Sequence, residues 1–322
     1  MRRRREPEPS GPLVGLRALR GRRGRRPRAD RDGPPPPLTA APAGDGAWAF
    51  AERPRNSYFL SGCRYLMRGR HATAGARFRK ALAIDPYHAD AMHHLAIVLD
   101  ATGHTRDALE LWEKGVELCK AALPPDFWAG ENTLPWKHPG NRPFLRLTHG
   151  LGCILHEMGR RHEACEVLEE LMRLNPSDEQ GVRELLMEIH LDADRLGAAV
   201  RLAERFPDDR LPGMVYGRPL AMFRAGAKKE ATELLEEAVR LLPRVAEELL
   251  KEVHPRPQTS TPGLVTPGGW DEAYDHWLRF GRFWSGEALE WLRETVKRVG
   301  KKNSGRDSGP ASETGGVSGR AQ

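Results

Sequence analysis

The segment from residue 58 to residue 86, YFLSGCRYLMRGRHATAGARFRKALAIDP, decides the fold that this sequence predicts. Small residues at Gly62 and Ala74 allow two antiparallel helices to approach closely. Gly69 suits the turn between the helices, and Pro86 ends the second helix. The full pattern places aromatic and small residues at fixed offsets, at Tyr58, Gly62, Tyr65, Gly69, Ala74, Phe78, Ala81 and Pro86.

The same pattern returns along the chain at a nearly constant spacing. A second copy lies 34 residues on, at Gly103, Ala108 and Trp112. The third copy is displaced by 56 residues from the second, so 22 extra residues intervene. A degenerate fourth copy follows after 34 residues, and a fifth after a further 33. A period of this length indicates a repeat architecture, with repeats at residues 55–88, 89–119, 145–178, 179–211 and 212–244 and an insertion at residues 120–144.

The repeated segment resembles the tetratricopeptide repeat (TPR) family over about residues 54–244. The resemblance implies an all-α, right-handed α-solenoid of about five helix hairpins within residues 47–253. It also implies a concave groove that binds a peptide or helix of another protein, and no intrinsic catalysis. After a loop at residues 254–269, helices at residues 270–300 would cap the array with a polar outer face, as a solenoid requires.

Both ends of the chain differ in composition from this helical body. Residues 1–46 are rich in Arg, Pro, Gly and Ala, and residues 301–322 are rich in Ser and Gly, so both segments are predicted to be disordered. The 322-residue chain carries a net charge of +7. Residues 1–32 hold twelve arginines and four acidic residues, which leaves the rest of the chain nearly neutral.

Composition excludes several classes of protein. No apolar run has the length of a membrane span, and residues 12–19 are too short and interrupted for a signal peptide. The four cysteines show no CxxC pair and no framework spacing, which favours reduced thiols in a cytoplasmic protein. We expect no membrane association.

The resemblance places the groove along the first helix of each repeat. Side chains there are apolar or aromatic with scattered cations, which suits an amphipathic helix with an acidic rim. The family's clamp for a carboxy-terminal carboxylate would fall on Phe59, Cys63, His94, Arg146 and Gly150, of which only Arg146 has suitable chemistry. The predicted partner-binding residues are Phe59, Ile97, Arg146, His149, His156, Arg183 and Tyr216, with Trp128 and Trp136 from the insertion.

The insertion has two interpretations. A loop of this length in a compact array is usually functional or disordered, and two tryptophans argue against disorder. Trp128 and Trp136 would then contribute to a binding edge. Alternatively, the insertion folds back between the second and third repeats as a packing element only.

No residues point to catalysis. The chain lacks a phosphate loop, a GxSxG elbow, an HExxH pair and a Gly-rich dinucleotide turn. Cys153, His156, His162 and Cys165 have zinc-type spacing, but in the repeat frame they point in different directions, so we expect neither metal nor cofactor.

The sequence therefore predicts a non-enzymatic scaffold that binds a protein segment in its groove. The alternative is a nucleic-acid-associated factor, whose arginine tail contacts phosphates while the repeats recruit proteins. The tail is also open to two other interpretations, translated GC-rich upstream DNA or an Arg-rich presequence.

Overall fold

A computed structural model describes residues 36–54, 56–258 and 265–304. These residues divide between two compact units, with the division after Ile189. The predicted disorder of residues 1–35 and 305–322 lies outside the described residues. No helix in the described part of the chain is both long and apolar enough to cross a bilayer.

The first unit is built from helix pairs joined by tight turns. The first helix of each pair is called an inner helix here, and α3 packs against both α1 and α6. The helices are α1 (Ser57–Leu66), α2 (His71–Ile84), α3 (Ala89–Ala101), α4 (Thr105–Ala121), a short α5 (Pro125–Trp128), α6 (Arg142–Glu157), α7 (Arg161–Leu174) and α8 (Val182–Asp192), the last of which continues past the division.

Glycine and aromatic side chains fit the helix pairs as the pattern requires. A Cβ atom on Gly62 would lie 2.5 Å from the ring of Phe78, so α1 and α2 approach too closely for any other residue. Gly69 has φ +67° in the turn between them, a conformation that L side chains rarely adopt. In the fourth copy Asp194 takes the left-handed conformation (φ +54°) at the corresponding turn. The predicted all-α, TPR-like fold is confirmed.

One element departs from the all-helical prediction. Residues 40–50 form a small antiparallel hairpin of β1 (Ala40–Gly44) and β2 (Ala47–Phe50). The prediction that residues 1–46 form a disordered tail is therefore wrong for residues 40–44. The apolar side chains of β2 pack on parts of the chain that are distant in sequence. The composition of residues 40–50 alone therefore does not indicate that they are ordered.

The second unit holds one complete helix pair and the carboxy-terminal helices. Tyr216 and Phe223 of the pair's first helix contact aromatic residues that follow the pair in sequence, Trp284 and Trp291. Its helices are α9 (Leu196–Glu204), α10 (Pro212–Arg224), α11 (Lys228–Leu241), α12 (Pro243–Leu249), α13 (Trp270–Phe280) and α14 (Glu287–Ser304).

Candidate partner-binding surface

The amino-terminal ends of the inner helices are covered by residues 36–54, which we call the strap. The ring of Phe50 lies 5.8 Å from that of Phe144 at the start of α6. Arg53 pairs with the buried Asp85 carboxylate, and its guanidinium also lies 5.9 Å from the ring of Tyr87. A hollow of about 200 Å³ remains beneath the strap, with Phe59 in its wall. This part of the predicted groove is therefore occupied by the chain itself.

The insertion holds the strap in place. The fully buried Asn141 accepts a hydrogen bond from the Phe50 N–H (2.9 Å) and donates to the Trp48 carbonyl (2.9 Å). Two backbone bonds join Thr133 to the strap, one to Gly46 and one to Trp48, both 2.9 Å long. The insertion thus packs against the strap, and Trp128 on it stays exposed.

The two insertion tryptophans have different environments. Trp136 is half-buried, and the guanidinium groups of Arg142 and Arg146 lie 5.4 and 5.3 Å from its ring. Trp128 is 40% exposed and contacts Phe127 edge to face. Only Trp128 therefore offers substantial free surface to a partner.

The predicted cations of the groove are compensated within the chain. Arg146 donates to the Asp90 carboxylate at 2.8 Å, and both side chains are mostly buried. Arg183 pairs with Asp178 at 2.9 Å. The expectation of a groove with free cations is therefore wrong for these two residues, because acidic residues elsewhere in the fold reach them.

Histidines on α3 are held neutral. Burial, followed by the positive electrostatic influence of His94, Arg146 and His149, lowers the pKa of His93 well below its ordinary value. The Nδ1 atom of His93 accepts a hydrogen bond from the Trp112 indole (3.1 Å), which requires this nitrogen to be unprotonated. Burial also lowers the pKa of His94. These imidazoles do not add positive charge to the surface at neutral pH.

The carboxy-terminal halves of the inner helices have a different surface, which we call the inner-helix surface. Among the described residues, the strap's hydrogen bonds, ion pairs and ring contacts do not reach it. Its members recur at equivalent positions of successive helix pairs and are Met67, Ile97, Asp100, His149, Cys153, His156 and Glu157. Met67 is 58% exposed, and Ile97 and His149 are partly exposed.

Two carboxylates define the electrostatics of the inner-helix surface. Partial burial and the nearby Asp100 carboxylate raise the pKa of Glu157. Asp100 accepts a hydrogen bond from the Thr105 hydroxyl at 2.9 Å. Neither carboxylate forms an ion pair with any described cation. The unbalanced charge of this surface is therefore negative, opposite to the sequence expectation.

The remaining residues from the sequence predictions contact groups of the chain itself. Tyr216 has no exposed surface, donates its hydroxyl to the Leu242 carbonyl (2.9 Å) and has its pKa raised by burial. The prediction that it contacts a partner is wrong, since the carboxy-terminal aromatic residues cover it. His156 lies 3.6 Å from the Glu188 carboxylate. His162, from the zinc-type set, faces Glu166 in solvent, also at 3.6 Å.

Two of the buried thiols, those of Cys63 and Cys119, lack the properties of reactive cysteines. Burial, with a smaller influence of Asp90, raises the pKa of both Cys63 and Cys119 to about 12. Both stay protonated at neutral pH, and a protonated thiol is neither a nucleophile nor a metal ligand.

Sequence reasoning missed the residues that distinguish covered from open surface. Trp48, Phe50 and Asn141 fix the strap, and Asp100 and Glu157 set the charge of the inner-helix surface. The period offered one signal for the carboxylates. Glu157 lies 90 residues after Met67, at the equivalent repeat position. The equivalent residue of the second repeat is Ala101, and Asp100 directly precedes it.

Comparison with known proteins gives a family match. The family model described as transcriptional repressor TCF25 matches residues 75–319. A Homo sapiens protein named ribosome quality control complex subunit TCF25 is 23% identical over 248 residues, which are 68% of this chain and 37% of that protein. The chain thus spans a little over a third of that relative's length.

Solved structures of TPR-type proteins are also similar to the structure of this chain. YrrB, described as a TPR protein with an unusual peptide-binding site, has a TM-score of 0.44 and is 18% identical, covering 58% of this chain and 85% of its own. MamA from Desulfovibrio magneticus RS-1 has a TM-score of 0.43 and is 16% identical, covering 57% and 92%.

Proposed function

The chain belongs to the family described as transcriptional repressor TCF25, and we propose that it is a non-enzymatic scaffold. In this proposal the inner-helix surface of the first unit holds a segment of a partner protein. The observation that carries the proposal is that Asp100 and Glu157 influence each other electrostatically, form no ion pair with a described cation, and lie at the same end of the inner helices as Ile97 and Met67.

The chemistry of this surface selects the kind of segment. Met67 and Ile97 offer apolar contact to a helix or an extended peptide. A lysine or arginine at the rim of that segment would relieve the repulsion between the two carboxylates. We therefore propose an amphipathic partner segment with a basic rim, in place of the acidic rim expected from the sequence.

The proposed contact set follows from exposure. Ile97 and His149 from the sequence prediction remain in it, and Met67, Asp100 and Glu157 join them. The His156 side chain is only 18% exposed and lies against Glu188. Trp128 is a second, separate contact because it is exposed on the insertion. Phe59, Trp136, Arg146 and Arg183 support the fold around this surface through the contacts described above.

The human relative suggests where such a scaffold works. Its name makes it a subunit of the ribosome quality control complex. We propose that this chain likewise joins a cytoplasmic protein assembly, with its partner segment supplied by another subunit.

A direct test uses two labelled probe peptides with leucines on one face, one with lysines at the rim and one with glutamates. The fluorescence anisotropy of the labelled lysine-rimmed peptide should rise when the full chain is added, which shows binding. The double variant Asp100→Lys/Glu157→Lys should weaken that binding at least about tenfold. The control variant Glu110→Lys, an exposed carboxylate on α4, should bind like the wild type. Unchanged binding by the double variant would contradict the proposal.

Charge segregation supports a second candidate function, nucleic-acid contact through the arginine tail. The tail lies outside the described residues. Deleting residues 1–35 should abolish binding to random duplex DNA and remove its salt dependence. DNA binding that survives the deletion would rule out the tail as its source.

A further inference from the structure

A cleft of about 460 Å³ opens in the second unit, on the surface formed by α9, α10 and α11. Cleft volumes of roughly 300–1,000 Å³ are typical of ligand sites. The lining is largely apolar and includes Phe206, Met214, Val215, Leu234 and Leu241. Leu241 is 41% exposed at the cleft. The cleft thus offers exposed apolar surface to a ligand, and its lining contains no residue of the inner-helix surface.

Four charged residues line the cleft, Asp209, Arg218, Glu237 and Arg240, and Arg218 is the half-buried one without a counter-charge among the described residues, whereas Glu237 is exposed to solvent. Arg218 lines the cleft, and its buried Nε atom has no hydrogen-bond partner in residues 190–258 or 265–304. Its guanidinium makes no ion pair with any described residue. Arg240, also at the cleft, is compensated by Glu236 at 2.9 Å. A half-buried guanidinium without a counter-charge is destabilising, and a carboxylate bound at the cleft would supply that counter-charge.

A proline interrupts the helical hydrogen bonding of the same wall. Pro219 lies inside α10 and has no N–H to donate. The carbonyl of Val215, four residues earlier, therefore lacks its regular helical donor. Val215, Arg218 and Pro219 all line the cleft.

We propose that this cleft docks a short segment of a partner protein in which an apolar side chain neighbours an aspartate or glutamate. The apolar side chain packs among Phe206, Val215 and Leu241, and the carboxylate pairs with Arg218. This site is independent of the proposed basic-rimmed segment on the first unit, because it prefers the opposite charge.

The test uses the glutamate-rimmed peptide with the full chain. Wild type should bind it, and Arg218→Glu should weaken the binding at least about tenfold by repelling the carboxylates. Leu241→Asp changes an exposed residue and should also weaken it, which keeps the test valid if Arg218→Glu fails to fold. The control Lys229→Glu reverses an exposed charge on α11 outside the cleft and should bind like wild type.

The outcomes separate this site from the first. Arg218→Glu should leave binding of the lysine-rimmed peptide unchanged, whatever the result at the inner-helix surface. The proposal is overturned if wild type ignores the glutamate-rimmed peptide or if folded Arg218→Glu and Leu241→Asp variants both bind it normally. Sedimentation equilibrium tests whether a second copy of this chain occupies the cleft, since such a contact would produce a dimer. A dimer that Leu241→Asp dissociates would also overturn the proposal of a different partner protein.

Discussion

Inner helices α3 and α10 carry residues at the same repeat position, yet the two regions expose them differently. Ile97 and Leu220 are equivalent by the repeat spacing, and Ile97 is partly exposed whereas Leu220 is fully buried. In the first unit the strap covers only the amino-terminal ends of the inner helices, and the inner-helix surface stays open. In the second unit the aromatic residues Trp284 and Trp291 cover α10. The repeat sets the direction of a side chain, and the non-repeated segments decide whether a partner can reach it.

The largest effect is expected where α10 is covered. Tyr216→Ala should lower the free energy of unfolding by about 3–5 kcal/mol, because it empties a fully buried site. Tyr216→Phe should cost only about 1 kcal/mol, since it removes one hydrogen bond to Leu242 and keeps the ring. Urea denaturation followed by tryptophan fluorescence measures both. A small loss for Tyr216→Ala would mean that α10 is open to solvent, like the inner-helix surface.

A smaller, local effect is expected at the strap. A Cβ atom on Gly140 would lie 1.8 Å from the Phe50 carbonyl oxygen, so Gly140→Ala should displace the strap. The cost should be about 1–3 kcal/mol, typical of overpacking. Hydrogen exchange with mass spectrometry should show faster exchange in residues 36–54. Gly197→Ala is the control, because its nearest neighbour is the flexible end of Arg201 at 3.4 Å. Equal exchange in the two variants would show that the strap is not held at Gly140.

The fold was predictable from the sequence because packing repeats with the period. Gly62 and Gly69 signalled a close helix approach and a left-handed turn, and the structure has both. The cap at residues 270–300 was expected from the sequence, but the strap was not, since Phe50 and Trp48 bury themselves against residues about 80 to 90 positions away. The prediction of the charge of the surface was wrong for the same reason. Arg146 looked free in sequence, and its partner Asp90 lies 56 residues earlier.

A pH dependence should appear in the first unit. Because the folded-state pKa of His93 lies below the ordinary value of 6.5, the unfolded chain binds the proton more readily. The stabilising contribution is therefore full above about pH 6.5 and is lost as the pH falls below it. Thermal melts from about pH 7.5 to about pH 5.5 should show a steeper fall for wild type than for His93→Gln, which keeps an acceptor for Trp112 without titrating. Parallel curves would exclude His93 as the cause.

The smallest effect on stability is expected at the exposed end of α1, where Met67 is 58% exposed. Met67→Ser should change the free energy of unfolding by no more than about 0.5 kcal/mol, because little packing is lost at such a site. The same substitution should weaken binding of the lysine-rimmed peptide, since it removes apolar contact area. Urea denaturation and peptide anisotropy on one sample measure the two effects. A variant that loses stability but keeps its peptide affinity would place Met67 in the core rather than on the binding surface, and the distinction between open and covered inner helices would then fail at α1.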